Sequence, residues 1–247
     1  LLCKVQAVQG LQIYASNAFP AVPENENLSI FILITSFKKL LYTFLYPIVK
    51  NAILTITTIK LEKRSIFMEF QTVIEKRRSI RNFDPGKEVS REQIETLIRA
   101  ASLAPSWKNQ QTSRYYCILS PSRIEEFRQK CLSESNQKNC AGAPALIITT
   151  FKKGIVGFDK ATGSPVNEAG DGWGYYDLGL QNENLVLKAA ELDLGTLIMG
   201  IRDEPAIREY LKIPETEIIV AVIAVGYPAA EPSMPKRKAV EEIAAFL

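Results

Sequence analysis

Apolar and polar residues alternate in a regular pattern from Met68 onward. Ser90 and Gln93 have the spacing of a capping box, in which each side chain accepts a hydrogen bond from the other residue's backbone N–H at the start of a helix. Apolar residues then recur on one helical face, at Ile94, Leu97, Ile98 and Ala101. Pro105 ends this pattern, so the sequence predicts a helix that begins after Ser90.

The remaining pattern predicts strands that are separated by helices. Helices are expected at Met68–Arg78, Pro121–Leu132, Trp173–Leu192 and Glu204–Leu211. Strands are expected at Tyr115–Leu119, Ala145–Phe151, Thr196–Met199 and Ile218–Val225. Ile218–Val225 is the most hydrophobic of these and should lie in the centre of the sheet. Lys152–Gly172 contains five glycines and charged residues, which predicts a mobile loop. Residues 68–247 therefore read as a single α+β domain.

Residues 1–67 differ in organisation from the rest of the chain. Their apolar part, residues 28–59, lacks helix caps and a clean helical or strand period. A membrane span over residues 40–59 has the required length, but Lys50 would lie within it at a cost of roughly 2.5–3.5 kcal/mol. A secretory signal is a second interpretation, although its apolar part starts late. The interpretation that we favour is that residues 1–67 are a non-native or unstructured extension. They would be upstream sequence that an over-extended reading frame has added to the protein.

Charge and composition exclude several classes of partner and catalytic site. Residues 1–67 hold 7 of the 30 basic and 3 of the 27 acidic residues, a net charge of +4, which leaves −1 for residues 68–247. This distribution removes the basis for a nucleic-acid partner. The chain has no histidine, which excludes Ser-His-Asp and Cys-His catalysis and histidine-ligated metals. Its four cysteines form no CxxC pair, so no metal site is predicted and a reducing compartment is expected.

Three segments carry candidate binding chemistry. Arg77–Phe83 (RRSIRNF) places three guanidinium groups and a hydroxyl close together, which suits a phosphate, although cations at a helix C-terminus are the alternative. Ala104–Gln111 (APSWKNQQ) is dense in amides and hydroxyls that could bind a heterocycle or a polyol, or could simply form a turn. Leu194–Gly200 (LGTLIMG) has two glycines that would let a flat ligand approach the backbone, or that end a strand.

Two further groups of charged residues each allow a functional and a structural interpretation. Lys236, Arg237 and Lys238 form a basic run that is either a solvated surface or an anion contact. Asp177 and Glu183 on the long predicted helix could serve acid–base chemistry, but caps and surface pairs are the commoner roles of such carboxylates.

Taken in order, these segments resemble the FMN-dependent nitroreductase family. The resemblance rests on RRSIRNF, APSWKNQQ, the long helix with its following strand (GWGYYDLGLQNENLVLKAAELDLGTLIMG) and the basic C-terminus. It covers about Met68–Leu247, and residues 1–67 have no counterpart in it. It implies an α+β fold with a central mixed or antiparallel sheet flanked by helices, and an intertwined homodimer with two flavin sites at its interface.

The resemblance also implies roles for individual residues, all of them in binding FMN. Residues that match those holding the phosphate and ribityl are Arg77, Ser79 and Arg81, with Arg78 beside them. The loop that reaches the flavin from the partner subunit corresponds to Pro105, Ser106 and Asn109. The segment beside the isoalloxazine, with a backbone N–H near N5, corresponds to Ile198, Met199 and Gly200. The tail's phosphate contacts correspond to Lys236 and Arg237, with Lys238 as an alternative.

The function implied by this resemblance is an oxidoreductase that uses FMN and NAD(P)H. It would reduce nitroaromatics, quinones or similar small acceptors by ping-pong hydride transfer, with no obligatory catalytic side chain. That expectation agrees with the absence of histidine, because the cofactor carries the redox chemistry. A non-catalytic flavin-binding storage or sensor protein is the alternative. A cytoplasmic homodimer without nucleic-acid or membrane partners is expected.

Overall fold

The computed structural model describes residues 37, 39–41, 43, 46–50 and 68–247. The chain divides into two units, Leu1–Ile66 and Phe67–Leu247. The described residues of the first unit are helical and exposed. The interpretations of residues 1–67 fall mostly outside the described residues and stay predictions. None of the helices in the described part combines the length and apolar character that a membrane crossing needs.

The second unit is built on a four-stranded antiparallel sheet. Its strands are β1 (Ser113–Ile118), β2 (Ala145–Lys152), β3 (Gly195–Met199) and β4 (Glu217–Gly226), in the order β1-β2-β4-β3. The strand β4 lies between β2 and β3, as its apolar sequence predicts. Its residues Ala221–Gly226 are buried without interruption, which requires packed layers on both faces of the sheet.

Six α-helices cover the two faces within residues 68–247. They are α1 (Phe70–Lys76), α2 (Arg91–Ser102), α3 (Pro121–Cys131), α4 (Glu134–Asn139), α5 (Gly172–Glu191) and α6 (Glu204–Leu211). Short 3-10 turns lie at Trp107–Asn109 and Val240–Glu242. Phe127 of α3 and Ile207 of α6 pack in one buried cluster, and Leu97 of α2 and Leu185 of α5 pack in a second. The α+β class predicted from the sequence is therefore confirmed.

Local sequence signals account for most element boundaries. The capping box is formed, because Ser90 Oγ accepts the Gln93 N–H and Gln93 Oε1 accepts the Ser90 N–H. The prediction of a helix over Met68–Arg78 is wrong at both ends, since α1 spans only Phe70–Lys76. The backbone leaves helical geometry at Arg77, which lets Ile80 become buried. The short helix α4, whose N-cap is Ser133, was not predicted.

A glycine in α5 allows the long helix to approach the sheet. A Cβ atom at Gly174 would overlap the ring of Phe151 in β2, whereas Gly179 in the same helix faces open space. We expect Gly174→Ala to lower the free energy of unfolding by about 1–3 kcal/mol, the usual cost of overpacking a core. Gly179→Ala is the matched control and should be neutral or stabilising by up to about 1 kcal/mol, because alanine favours a helix.

Urea unfolding, monitored by circular dichroism, gives the free energy of unfolding of both variants. If Gly174→Ala unfolds at the same urea concentration as the wild type, the inference that α5 and β2 leave no room for a Cβ atom at this position is wrong.

Candidate functional site

The segment after α1 runs alongside the start of β3, at the edge of the sheet. Ser79 forms a parallel bridge with Thr196, and the Ile80 N–H donates to the Thr196 carbonyl at 2.9 Å. The two segments approach closely because residue 195 is a glycine, since a Cβ atom there would lie 2.5 Å from Cγ1 of Ile80. The arginine-rich motif and the glycine motif are therefore neighbours in space.

The second half of β3 presents an open edge. The Thr196 carbonyl bonds to Ile80 and so points away from β4. Because backbone orientation in a strand repeats every two residues, the N–H and carbonyl of Ile198 also point away from β4. The Ile198 side chain is 50% exposed, and the space around the Cα of Gly200 is open. This edge offers a hydrogen-bond donor, an acceptor and an apolar surface to a ligand.

The side chain of Met199 has a different position. It is 2% exposed and belongs to the buried cluster that contains Phe127 and Ile207. Of the three predicted residues in this segment, Ile198 and Gly200 are exposed, whereas Met199 is buried and its backbone pairs with β4, so the prediction that Met199 faces a ligand is wrong.

A cavity of about 510 Å³ adjoins the beginning of this edge. Four cationic residues are among those that line it: Lys76, Arg77, Arg78 and Lys87. The two lysines have carboxylate partners, since Lys76 Nζ lies 2.6 Å from Asp193 and Lys87 Nζ lies 3.5 Å from Asp84.

The two arginines of the cavity are free to bind an anion. Within residues 68–247 neither Arg77 nor Arg78 forms a salt bridge; Arg78 Nη1 donates instead to the carbonyl of Arg77 at 2.7 Å. Arg77 Nε is buried and has no hydrogen-bond acceptor within the described residues. A buried donor without a partner is costly, so this guanidinium favours a ligand with acceptor oxygens.

The other predicted phosphate ligands are exposed. Ser79 and Arg81 are exposed and lie on the same extended segment as Arg77, at alternating positions. Lys236 and Arg237 are exposed in the C-terminal tail, where Arg237 Nη1 donates to the carbonyl of Pro235 at 3.4 Å. The cavity is lined by the beginning of this tail, Pro228–Pro232, and not by its basic run.

The APSWKNQQ loop lies elsewhere in the chain's fold. It leads into β1, which occupies the sheet edge opposite to β3, three strand spacings or about 14 Å away. The loop is held on α5, because the Trp107 N–H donates to Asp177 Oδ2 at 2.9 Å. Within one chain, Pro105, Ser106 and Asn109 therefore do not line the cavity, which lies at the other edge of the sheet.

Sequence reasoning missed some of the residues that surround the cavity. Thr196, Tyr227 and Asp193 line it, although none of them was singled out as a binding residue. Tyr227 directly follows the central strand, and Lys87 Nζ lies 5.4 Å above its ring. A signal existed only for Thr196, which stands between the two glycines of LGTLIMG. No cluster of metal-binding side chains occurs among the residues that the structure describes.

The fold and the site define an α+β protein with an arginine-lined cavity beside a strand at the edge of its sheet. The sequence profile of the nitroreductase family matches residues 74–139 and 125–227, more than half of the chain. The chain belongs to the nitroreductase family.

Individual relatives agree with this assignment. A protein of Archaeoglobus fulgidus, provisionally named an NADH dehydrogenase/NAD(P)H nitroreductase, is 29% identical over 159 residues, which are 63% of this chain and 83% of that protein. A crystal structure provisionally named an NADH oxidase, from Clostridium acetobutylicum, is 28% identical with a TM-score of 0.55, over 70% of this chain and 97% of that one. A crystal structure described as an oxidoreductase containing FMN has a TM-score of 0.55 at 24% identity, over 64% of this chain and 76% of that one.

Proposed function

We propose that this protein is an FMN-dependent oxidoreductase that takes electrons from NAD(P)H and reduces nitroaromatic, quinone or similar small acceptors. The observation that carries the proposal is a pair of arginines, Arg77 and Arg78, that have no carboxylate partner within the described residues and line a cavity beside the open edge of β3. The names of the relatives, with their NADH and NAD(P)H chemistry, support the donor. The FMN in one structural neighbour supports the cofactor.

The described residues fit FMN at both ends of the molecule. The cavity volume of about 510 Å³ lies within the range of roughly 300–1,000 Å³ typical of ligand sites. Arg77 and Arg78 would hold the phosphate, and Ser79 and Arg81 lie within the same extended segment. Arginine suits this task because its planar group can bind two phosphate oxygens at once.

The flat ring would lie along the second half of β3. The half-exposed Ile198 side chain would contact its face, and the outward-pointing Ile198 N–H would donate a hydrogen bond to a ring nitrogen. The open space at Gly200 lets a planar group approach the backbone. When bound, FMN supplies the two-electron chemistry, and NAD(P)H and acceptor would use the site in turn, which gives ping-pong kinetics.

The protein's own side chains offer no activated nucleophile in the described part. Burial raises the pKa of the Cys131 thiol to about 11, and it also raises the pKa of the Cys140 thiol. These thiols are therefore protonated at neutral pH and unreactive. The chain also lacks histidine. In this proposal the role of the residues is to bind, orient and shield the flavin.

A complete site needs a second copy of the chain in this proposal. The loop with Pro105, Ser106 and Asn109 would reach the flavin of the partner, because its own sheet edge is the opposite one. Exposed apolar side chains favour such a homodimer: Tyr175 and Tyr176 on α5, and Met234, Val240, Ile243 and Phe246 in the tail. Lys236 and Arg237 would join the phosphate site when the tail is ordered by that contact. A cytoplasmic location remains a prediction.

Reduction of the bound flavin tests the proposal directly. The full chain is loaded with FMN, freed of excess, and mixed without oxygen with NADH or with NADPH. We expect the yellow absorbance to bleach within seconds and to return when a quinone or a nitroaromatic is added. Comparison of the two nucleotides establishes the preferred donor.

Two other outcomes would contradict the proposal in different ways. Bound FMN that neither nucleotide bleaches would indicate a flavin-binding storage or sensor protein. A chain that retains no FMN would remove the flavin assignment itself.

A further inference from the structure

A buried carboxylate on α5 makes contact with the APSWKNQQ loop. Asp177 is only 3% exposed, and its Oδ2 accepts a hydrogen bond from the backbone N–H of Trp107 at 2.9 Å. Burial raises the pKa of Asp177, and the Trp107 N–H acts in the opposite direction. A desolvated carboxylate that bonds a backbone N–H 70 residues away constrains the position of that backbone.

The loop needs such a constraint because its backbone is strained. Lys108, Asn109 and Gln111 have φ angles of 48°, 55° and 49°, in the left-handed region that residues other than glycine rarely adopt. Within the loop, Ser106 Oγ accepts the Gln111 N–H at 3.3 Å. The Asn109 N–H also donates to the Ser106 carbonyl at 3.0 Å, which again stays within the loop. Arg114 Nη1 of β1 donates to the Gln111 carbonyl at 3.0 Å, at the end of the loop that leads into that strand.

A second contact between α5 and the loop is aromatic. The rings of Trp107 and Trp173 have centroids 4.7 Å apart, and Trp173 lies in the first turn of α5. Trp173 Nε1 in turn donates to Asn167 Oδ1 at 2.9 Å. The helix therefore holds Trp107 twice, at its backbone through Asp177 and at its ring through Trp173.

We propose that Asp177 is a positioning residue, which fixes the loop through Trp107 so that Ser106 and Asn109 can reach the flavin of the partner subunit. Asp177 itself touches neither flavin nor substrate. The inference rests on the proposed function for its catalytic consequence, whereas the position of the loop can be measured without any flavin.

The tryptophans provide that measurement. The chain has two tryptophans, Trp107 and Trp173, and they lie next to each other. Two indoles at this distance couple their electronic transitions and give a paired positive and negative band in circular dichroism. This exciton couplet therefore reports whether the loop is held on α5 in the flavin-free protein.

Three variants separate positioning from general stability. Asp177→Ala removes the acceptor, and Asp177→Asn keeps a side-chain oxygen that can accept the Trp107 N–H. Asp203→Ala is the matched control: its carboxylate also accepts a backbone N–H, that of Ala206 at 2.9 Å, but at the start of α6. Asp177→Ser, which is too short to reach Trp107, takes the place of Asp177→Ala if the alanine variant does not fold.

We expect Asp177→Ala to lose most of the couplet in the flavin-free protein. In the holoprotein it should weaken FMN binding and lower kcat, each by about 10-fold or more, the effect of losing a hydrogen bond to a charged group. Asp177→Asn should recover most of both, and Asp203→Ala should keep the couplet and wild-type FMN affinity.

A couplet that survives in Asp177→Ala overturns the proposal, because the loop then does not depend on this carboxylate. A lost couplet with wild-type FMN affinity and kcat overturns the catalytic consequence. If the wild-type chain binds no FMN, the proposed function fails, and the couplet alone decides whether Asp177 positions the loop.

Discussion

Replacing both Arg77 and Arg81 with alanine is expected to weaken FMN binding by at least about 100-fold. Each hydrogen bond to a charged group contributes about 1.5–3 kcal/mol, and every 1.4 kcal/mol corresponds to about tenfold in affinity. Arg77 lines the cavity with a buried Nε that has no acceptor within the described residues, so its replacement removes the group most suited to the phosphate. Fluorescence titration of the flavin-free protein with FMN gives the dissociation constant, and gel filtration gives the retained flavin.

A control with the same change in charge is available on α2. Arg91 and Arg99 are exposed, pair only with Glu95 among the described carboxylates, and do not line the cavity. Their double replacement by alanine should leave FMN affinity within about twofold, since exposed pairs contribute at most about 1 kcal/mol, and to stability rather than to binding. Full flavin occupancy in the Arg77→Ala, Arg81→Ala variant would show that the phosphate assignment is wrong.

Mixing two inactive variants is expected to restore activity. The first variant carries Arg77→Ala and Arg81→Ala. The second carries Ser106→Ala and Asn109→Gly, and glycine preserves the left-handed backbone that Asn109 adopts, with φ of 55°. In the proposed homodimer each site combines the arginines of one chain with the loop of the other. A mixed dimer therefore contains one site with no substitutions and one site that carries both sets of substitutions.

The recovered activity has a definite size. When equal amounts are unfolded and refolded together, half of the dimers are mixed, so about a quarter of all sites are intact, against a few per cent or less in either parent. Refolding each variant alone is the control for the procedure. No recovery, with mixed dimers present by native mass spectrometry, would mean that the arginines and the loop act within one chain.

Most secondary structure was predictable because its signals are local. The capping box at Ser90 and the spacing of the apolar residues after it define α2 without reference to the rest of the molecule. The uninterrupted apolar run Ile218–Val225 predicted a central strand, since only a strand covered on both faces buries such a run. The end of α1 was not predictable in this way, because Arg77–Phe83 is extended by its contact with Thr196, more than 100 residues away.

Some of the residues that line the cavity were also predictable from the sequence. Arg77 and Arg78 were expected to bind an anion, and both line the cavity. The lysine–carboxylate pairs of the cavity could not be foreseen, because Lys76 meets Asp193 only in the folded chain. For Asp177 the sequence favoured a cap or surface pair over acid–base chemistry, whereas its burial and its bond to the Trp107 N–H support the positioning role that we propose.

The sequence by itself therefore determined most of the helices and strands, the central position of β4 and the exclusion of histidine chemistry. The reason is that hydrophobic period, caps and residue inventory act over a few neighbouring positions. The tertiary structure decided which segments meet. It brought the arginines to the start of β3, left the second half of that edge open, and set the APSWKNQQ loop on the opposite side of the sheet. Such placements depend on strand order and long-range packing, which no local pattern encodes.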